Sequence, residues 1–180
     1  MAKYIAFHRA INVSGSKIIK MAHLKQMYED MGFKNVATYI QSGNVYFEAA
    51  KGNNDTLSKK IEKYLEKELG YNVETMVRTI AELQTIADTD PYKNIEDDGN
   101  AVVYIGFLSD EPAKEQKELL QSFNNDVDEC TVKGKEVYIL RYRDRGKEKF
   151  DNKLVENKLK VKCTTRNRKT LYKLLELYKD

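Results

Sequence analysis

The chain has 180 residues, 41% hydrophobic and 33% charged, enough for one medium domain or two small ones with a core and a charged surface. Its 9 Gly, 2 Pro and 2 Cys exclude collagen, low-complexity disorder and a disulfide scaffold, and no apolar run nears the roughly 18 residues of a membrane-spanning helix. Lys plus Arg exceed Asp plus Glu by 31 − 28 = +3, too little to imply a nucleic-acid partner by itself.

Taken in chain order, Tyr4–His8 reads as a strand. Leu24, Met27, Tyr28 and Met31 then recur at helical spacing, and Gly32 is the expected C-terminal cap because glycine accepts the left-handed conformation. Val36–Ile40 and Val45–Phe47 read as strands joined by the hairpin Gln41-Ser42-Gly43-Asn44. Asp55 is expected to cap the next helix, whose apolar face is Leu57, Ile61, Tyr64, Leu65 and Leu69, and Gly70 to end it. Val73–Val77 is the fourth strand. The order β-α-β-β-α-β is that of a ferredoxin-like unit.

A short helix over Ile80–Ala87, capped by Thr79, leads into the polar stretch Asp88–Asn100, the best linker candidate. The order of elements then repeats. Ala101–Leu108 is a strand, and Ser109-Asp110-Glu111-Pro112 opens a helix with Leu119, Leu120 and Phe123 on its apolar side. Val127–Val132 and Val137–Tyr142 flank the turn Lys133-Gly134-Lys135; Asp151 caps a helix carrying Leu154, Val155 and Leu159; Val161–Thr164 is a final short strand. After Asn167 a terminal helix places Leu171, Leu174, Leu175 and Tyr178 in one stripe. The expected architecture is α+β: two pseudo-repeated ferredoxin-like halves, 1–79 and 100–165, with a helix and linker at 80–99 and a C-terminal helix at 166–180.

Met1-Ala2-Lys3-Tyr4 runs into a mixed segment holding Arg9, unlike a secretory signal, and the chain reads as a cytoplasmic protein. Cys130 and Cys163 lack CxxC spacing and are expected to be reduced, partly buried strand residues. They cannot form a zinc site with His8 and His23 at any usual spacing; another metal would need carboxylates gathered by the fold, and the residues select no cofactor. The stretch Lys133–Lys173 is markedly basic, which reads either as a solvated lysine-rich face or as a surface for phosphate groups.

Three polar segments are not required by the fold. They are the loop Arg9–Lys17, the hairpin Gln41–Asn44 and the segment Thr164–Asn167. Arg9, Lys17 and Arg166 bring positive charge; Asn12, Gln41, Ser42, Asn44, Thr164 and Asn167 bring neutral hydrogen-bonding groups; none of the segments holds an acid. A loop rich in small residues, with backbone N–H groups free, favours an anion. Each residue also has a plain structural use: Arg9 in an ion pair, Asn12 in its own loop, Asn167 as a helix cap.

These segments carry a family resemblance. Tyr4–Val13 (YIAFHRAINV), Thr38–Phe47 (TYIQSGNVYF) and Thr164–Asn167 (TTRN) resemble the bacterial family catalogued as domain of unknown function 1697, with Asp90-Pro91-Tyr92 and Phe107-Leu108 as weaker landmarks. The resemblance covers essentially the whole chain and implies a pair of ferredoxin-like halves; it implies no reaction. The chain departs from the family pattern at Ala10 and Ser14, where glycine is usual, and at Arg168, where an aromatic residue is usual.

Function at this level rests on the segments. The first reading is a site for a small anionic ligand, phosphate- or carboxylate-bearing, with Arg9, Asn12 and Lys17 as its centre. Arg166 and Asn167 are expected to join it or the hairpin. In regular connections the loop and the hairpin are expected at opposite ends of their strands. An enzyme would need a general base, yet only His8 is near, read as a satisfied surface histidine, and Ser42 has no histidine beside it. The second reading is a nucleic-acid module, in which Tyr4 and Tyr46 share one sheet face with His8, Asn44 and Glu48, and Tyr104, Tyr138, Leu140 and Tyr142 share the comparable face of the second half. The match to the RNP1 motif is poor, and protein cover over these tyrosines is the expected arrangement. The third is a protein-interaction or oligomerisation module, for which no residue selects a partner.

Overall fold

The computed structural model describes residues 1–179. Its contacts divide the chain into two units, one formed by Met1–Leu83 with the segment from Leu174 onward, the other by Gln84–Lys173. The first unit is built from β1 (Ala2–His8), α1 (Met21–Asp30), β2 (Lys34–Tyr39), β3 (Asn44–Ala49), α2 (Asn54–Leu69) and β4 (Thr75–Thr79). α3 (Ile80–Asp88) leads on to β5 (Ala101–Leu108), α4 (Lys114–Gln121), β6 (Asp128–Lys133), β7 (Glu136–Tyr142), α5 (Asn152–Leu159), β8 (Cys163–Asn167) and α6 (Arg168–Tyr178). The sheet orders are β2-β3-β1-β4 and β6-β7-β5-β8, and every neighbouring pair is antiparallel. The two units therefore repeat one ferredoxin-like topology.

In the first unit one sheet face carries Tyr4, Ala6, Val45, Phe47 and Val77 into a core with Leu24, Met27 and Tyr28 of α1 and Ile61 and Leu65 of α2. The Phe47 ring lies 4.5 Å from Phe33 and 5.4 Å from Tyr28. In the second unit Leu108, Cys130, Val137, Ile139 and Cys163 meet Leu120 of α4 and Val155 and Leu159 of α5. Both cysteines are buried and free. The halves also share a small device. A helix glutamate reaches across to the first N–H of the last strand, Glu62 to Thr75 at 2.8 Å and Glu156 to Cys163 at 2.9 Å. That contact docks helix to sheet edge and fills a backbone donor.

The sequence-based boundaries need local correction. α2 is capped by Asn53, whose side chain accepts the N–H groups of Asp55 and Thr56, so Asp55 sits in the first turn instead of before it. α4 begins at Lys114, after Pro112, and leaves Leu119 exposed while burying Leu120. Its start is held by Gln116, which reaches back to the Ala113 N–H. β8 runs through Thr165, Arg166 and Asn167, so the third polar segment is strand and not loop. Thr79, Gly70 and Asp151 act as expected: Thr79 and Glu82 form a reciprocal cap, Gly70 takes a φ of 79°, and Asp151 accepts the Leu154 N–H.

The sheet faces also differ from expectation. β1 pairs Tyr4 with Phe47 and Ile5 with Tyr46. Cross-strand partners share a face, so Tyr4 and Tyr46 lie on opposite faces. Tyr4 belongs to the helix-side core, and its hydroxyl accepts the Gly52 N–H. Tyr46 stacks on Tyr178 of α6 with ring centroids 4.1 Å apart and donates to Glu48 at 2.6 Å. In the second unit Tyr104 pairs with Ile139 and Ile105 with Tyr138, which separates Tyr104 from Tyr138, Leu140 and Tyr142. Tyr138 donates to the Ile86 carbonyl of α3 at 3.0 Å. With Tyr46 only 6% exposed and Tyr138 1%, the protein itself covers these rings.

Candidate functional site

β1 and β2 both run antiparallel to β3, so their C-terminal ends lie at the same end of the sheet. This corrects the expectation that the Arg9–Lys17 loop and the Gln41–Asn44 hairpin lie apart. The α1 crossover returns the chain to start a parallel strand, and the turn that leaves that strand comes out beside the loop that leaves β1.

Three contacts join the segments. The His8 N–H donates to the Gly43 carbonyl at 3.0 Å. The Asn12 side-chain amide donates to the Gln41 carbonyl at 2.9 Å and to the Ile19 carbonyl at 3.1 Å, while its oxygen accepts the Ile19 N–H at 2.8 Å. Ile11 is buried against Gly43 so closely that a Cβ on Gly43 would lie 2.6 Å from Ile11 Cδ1. Gly43 is thus required twice, for its φ of 79° and for the approach of Ile11.

The loop itself has an unusual backbone. Ala10, Asn12, Ser14 and Lys17 take φ values of 55°, 54°, 49° and 48°, and Gly15 takes 74°. Ala10 and Ser14 are the two positions where the family resemblance leads one to expect glycine, and both occupy the region glycine favours. Among the described residues, the N–H groups of Ala10, Ile11, Ser14 and Gly15 meet no protein acceptor. Backbone that alternates into positive φ turns successive N–H groups toward a common concavity.

The flanking cations have partners. Arg9 donates to Glu74 at 3.3 Å, with both side chains about a quarter exposed, and its N–H bonds the Glu74 carbonyl at 2.9 Å. Lys17 Nζ donates to the Asn72 carbonyl at 3.1 Å and lies 5.4 Å from the Tyr71 ring centroid. Gln41 is exposed. Asn44 is buried and donates to the Tyr39 carbonyl at 3.0 Å and to Ser42 Oγ at 2.9 Å, which holds the hairpin closed.

His8 is not the surface histidine that alternation suggests. It is buried between Tyr28 and Thr75, whose hydroxyls lie 2.8 Å from Nε2 and Nδ1. Thr75 donates its own hydroxyl hydrogen to the Val73 carbonyl at 3.1 Å. The consistent assignment has Nδ1–H donating to Thr75 and Nε2 accepting from Tyr28, a neutral imidazole with both nitrogens filled. Burial raises the Tyr28 hydroxyl pKa well above the ordinary tyrosine value, so it stays a donor. This chain runs inside the core and offers the loop no general base.

Arg166 and Asn167 belong to the second unit. Arg166 is buried in β8 and donates to Thr164 Oγ1 at 2.7 Å and to the Thr165 carbonyl at 3.0 Å; burial lowers its guanidinium pKa to about 10. Asn167 accepts the Lys169 N–H at 2.8 Å and caps α6. Sequence reading did not foresee two features here. Arg78 occupies in β4 the place of Arg166 in β8, opposite Ile5 as Arg166 is opposite Ile105, a match visible only once the repeat is registered. Arg168 closes the Asp88–Asn100 stretch. It pairs with buried Asp90 at 3.2 Å and donates to the Tyr92 and Ile95 carbonyls, each at 2.7 Å. The signal was its departure from the family's aromatic residue.

The second unit also holds a shallow cleft of about 330 Å³ lined by Ser109, Asp110, Glu156, Lys160, Val161 and Lys162. Two acids and two lysines balance there, so it selects no ligand charge. Among the described residues no cluster of three or more potential metal ligands occurs, and no helix is long and apolar enough to cross a membrane.

The loop, the hairpin, the first six strands and the start of the seventh follow one sequence pattern. The profile of the family described as protein of unknown function (DUF1697) matches residues 1–138. The chain belongs to this family. A solved structure of a conserved bacterial protein from Streptococcus pneumoniae is similar over 97% of each chain, with a TM-score of 0.69 at 19% identity, and so shares the fold. No functionally curated protein matches the chain.

Proposed function

We propose that this DUF1697 protein binds a small anionic ligand, phosphate- or carboxylate-bearing, at the β1–α1 loop of its first unit. The observation that supports this reading is the set of loop N–H groups at Ala10, Ile11, Ser14 and Gly15 that meet no protein acceptor among the described residues. They lie between two cations, Arg9 and Lys17, in a segment without an acid. Asn12 and Gly43 fix the loop against the hairpin, so the N–H groups are held before any ligand arrives. The role is binding. Glu74, the carboxylate that meets Arg9, is paired with it, and His8 is enclosed, so no residue is assigned to proton transfer. Arg166 and Asn167, included on sequence grounds, have structural partners of their own and are left outside the site. Two buried free thiols suit the reducing cytoplasm in which we place the protein.

The test is a titration with inorganic phosphate followed by amide NMR. Ile11, Ser14 and Gly15 should shift together, and Arg9→Ala or Lys17→Ala should weaken binding more than about tenfold, since a charge-assisted bond is worth roughly 1.5–3 kcal/mol. If no loop amide moves, the reading is wrong.

A further inference from the structure

We infer that the ligand of this loop is amphipathic, an anionic group carrying an apolar body, and this rests on the anion-binding reading above. The basis is what surrounds the Asn12 amide. Its side chain holds three backbone segments together: its own, Ile19 and Gln41. Beside each of these three residues in the chain stands a large apolar side chain left in water. Val13 follows Asn12 and is 55% exposed, Ile18 precedes Ile19 and is 73% exposed, and Ile40 precedes Gln41 and is 51% exposed. Single exposed apolar residues need no explanation, but each of these three adjoins in the chain a residue held at the Asn12 amide.

Ile40 adds a second observation. It takes a φ of 51°, where a β-branched residue is a genuine outlier. A residue in that region is ordinarily glycine or asparagine, and Ile40 is left about half exposed on its strained backbone. A strained conformation that leaves an isoleucine half exposed beside Gln41, the residue tied to the loop by Asn12, suits a ligand with two chemically different ends. Its charged end meets the Ser14 and Gly15 amides with Arg9 or Lys17, and its apolar end covers Ile18 and Ile40. Inorganic phosphate would satisfy only the first part.

Three probes decide the matter: inorganic phosphate, hexyl phosphate and hexan-1-ol, each titrated calorimetrically into the whole protein. Hexyl phosphate should bind at least about tenfold more tightly than phosphate, a gain of roughly 1.4 kcal/mol that partial burial of a six-carbon chain can supply. Ile18→Ser and Ile40→Asn should erase that gain and leave phosphate affinity unchanged. Asparagine tolerates positive φ, so the second variant keeps the fold. If phosphate and hexyl phosphate bind equally, the amphipathic inference is overturned and the anion site stands. If hexan-1-ol binds as well as hexyl phosphate while phosphate does not bind, both readings fall. If sedimentation shows self-association that Ile18→Ser and Ile40→Asn abolish, a second copy covers the patch and the inference is overturned.

Discussion

Replacing Gly43 with alanine tests whether loop and hairpin form one packed body. The new Cβ would lie 2.6 and 2.9 Å from two Ile11 side-chain carbons and 3.0 Å from His8 Cβ. Ordinary carbon contacts are about 3.5–4.0 Å, so Ile11 must move, and it is buried. Overpacking of this kind costs about 1–3 kcal/mol. The left-handed φ of 79° adds about 1–2 kcal/mol for any residue with a Cβ. The total is about 2–5 kcal/mol, or roughly 4–20 °C in melting temperature for a chain of this length. Gly15→Ala is the control. Its φ is 74°, but a Cβ there meets nothing within 4 Å, so it carries the backbone cost alone. Urea melts of both variants, and of Gly43→Ala in an Ile11→Ala background, separate the two terms. The contact predicts that Ile11→Ala relieves part of the Gly43→Ala loss, a coupling of about 0.5–3 kcal/mol. If Gly43→Ala costs no more than Gly15→Ala, or the double variant is additive, the loop and hairpin are not locked as described.

Four further outcomes follow from single sites. Lys160 ends α5 at a φ of 59°, the place that Gly70 fills after α2, so Lys160→Gly should stabilise the protein by about 0.5–1 kcal/mol in urea melts; an unchanged or lower midpoint would count against the strain. Arg168→Met should cost about 3–5 kcal/mol because it leaves buried Asp90 unpaired and two carbonyls unfilled, and adding Asp90→Asn should recover part of the loss. Burial raises the Glu62 carboxyl pKa above its ordinary 4.5, with Glu74 adding repulsion, while Glu62 accepts the Thr75 N–H. The folded state therefore holds that proton more tightly than the unfolded chain, and the parent loses this contribution as pH rises from about 4.5 through the folded value. Glu62→Gln keeps the acceptor, so its melting temperature relative to the parent should rise between pH 4 and pH 7; a falling difference would refute the assignment. Cys130 and Cys163 should both titrate as free thiols once the chain is denatured, and react slowly in the native state, where burial pushes the Cys130 thiol up to about 12.

Local chemistry decided much of this protein before any tertiary contact. Alternation and helical spacing determined the order of elements and the repeat, because they report which face of each segment avoids water. Caps at Thr79, Gly70 and Asp151 followed from side-chain reach and from glycine's freedom at positive φ. The Asn53 cap escaped because Asn53 and Asp55 are equally good caps two residues apart, and only the entry angle of the chain chooses between them. The polar segments were also legible from their residue types, although the third, Thr164–Asn167, continues a strand. Register and strand direction were not. One residue of register separates Tyr4 from Tyr46, a parallel β2 moves the hairpin to the loop's end of the sheet, and a buried Tyr28–Thr75 pair turns a histidine next to Arg9 into a core residue. These depend on partners distant in sequence, whose choice is made by packing the whole sheet against its helices. The same holds for the candidate site: residue types gave its charge, whereas the joining of loop to hairpin rests on Asn12 meeting Gln41 across 29 residues and on Gly43 yielding space to Ile11.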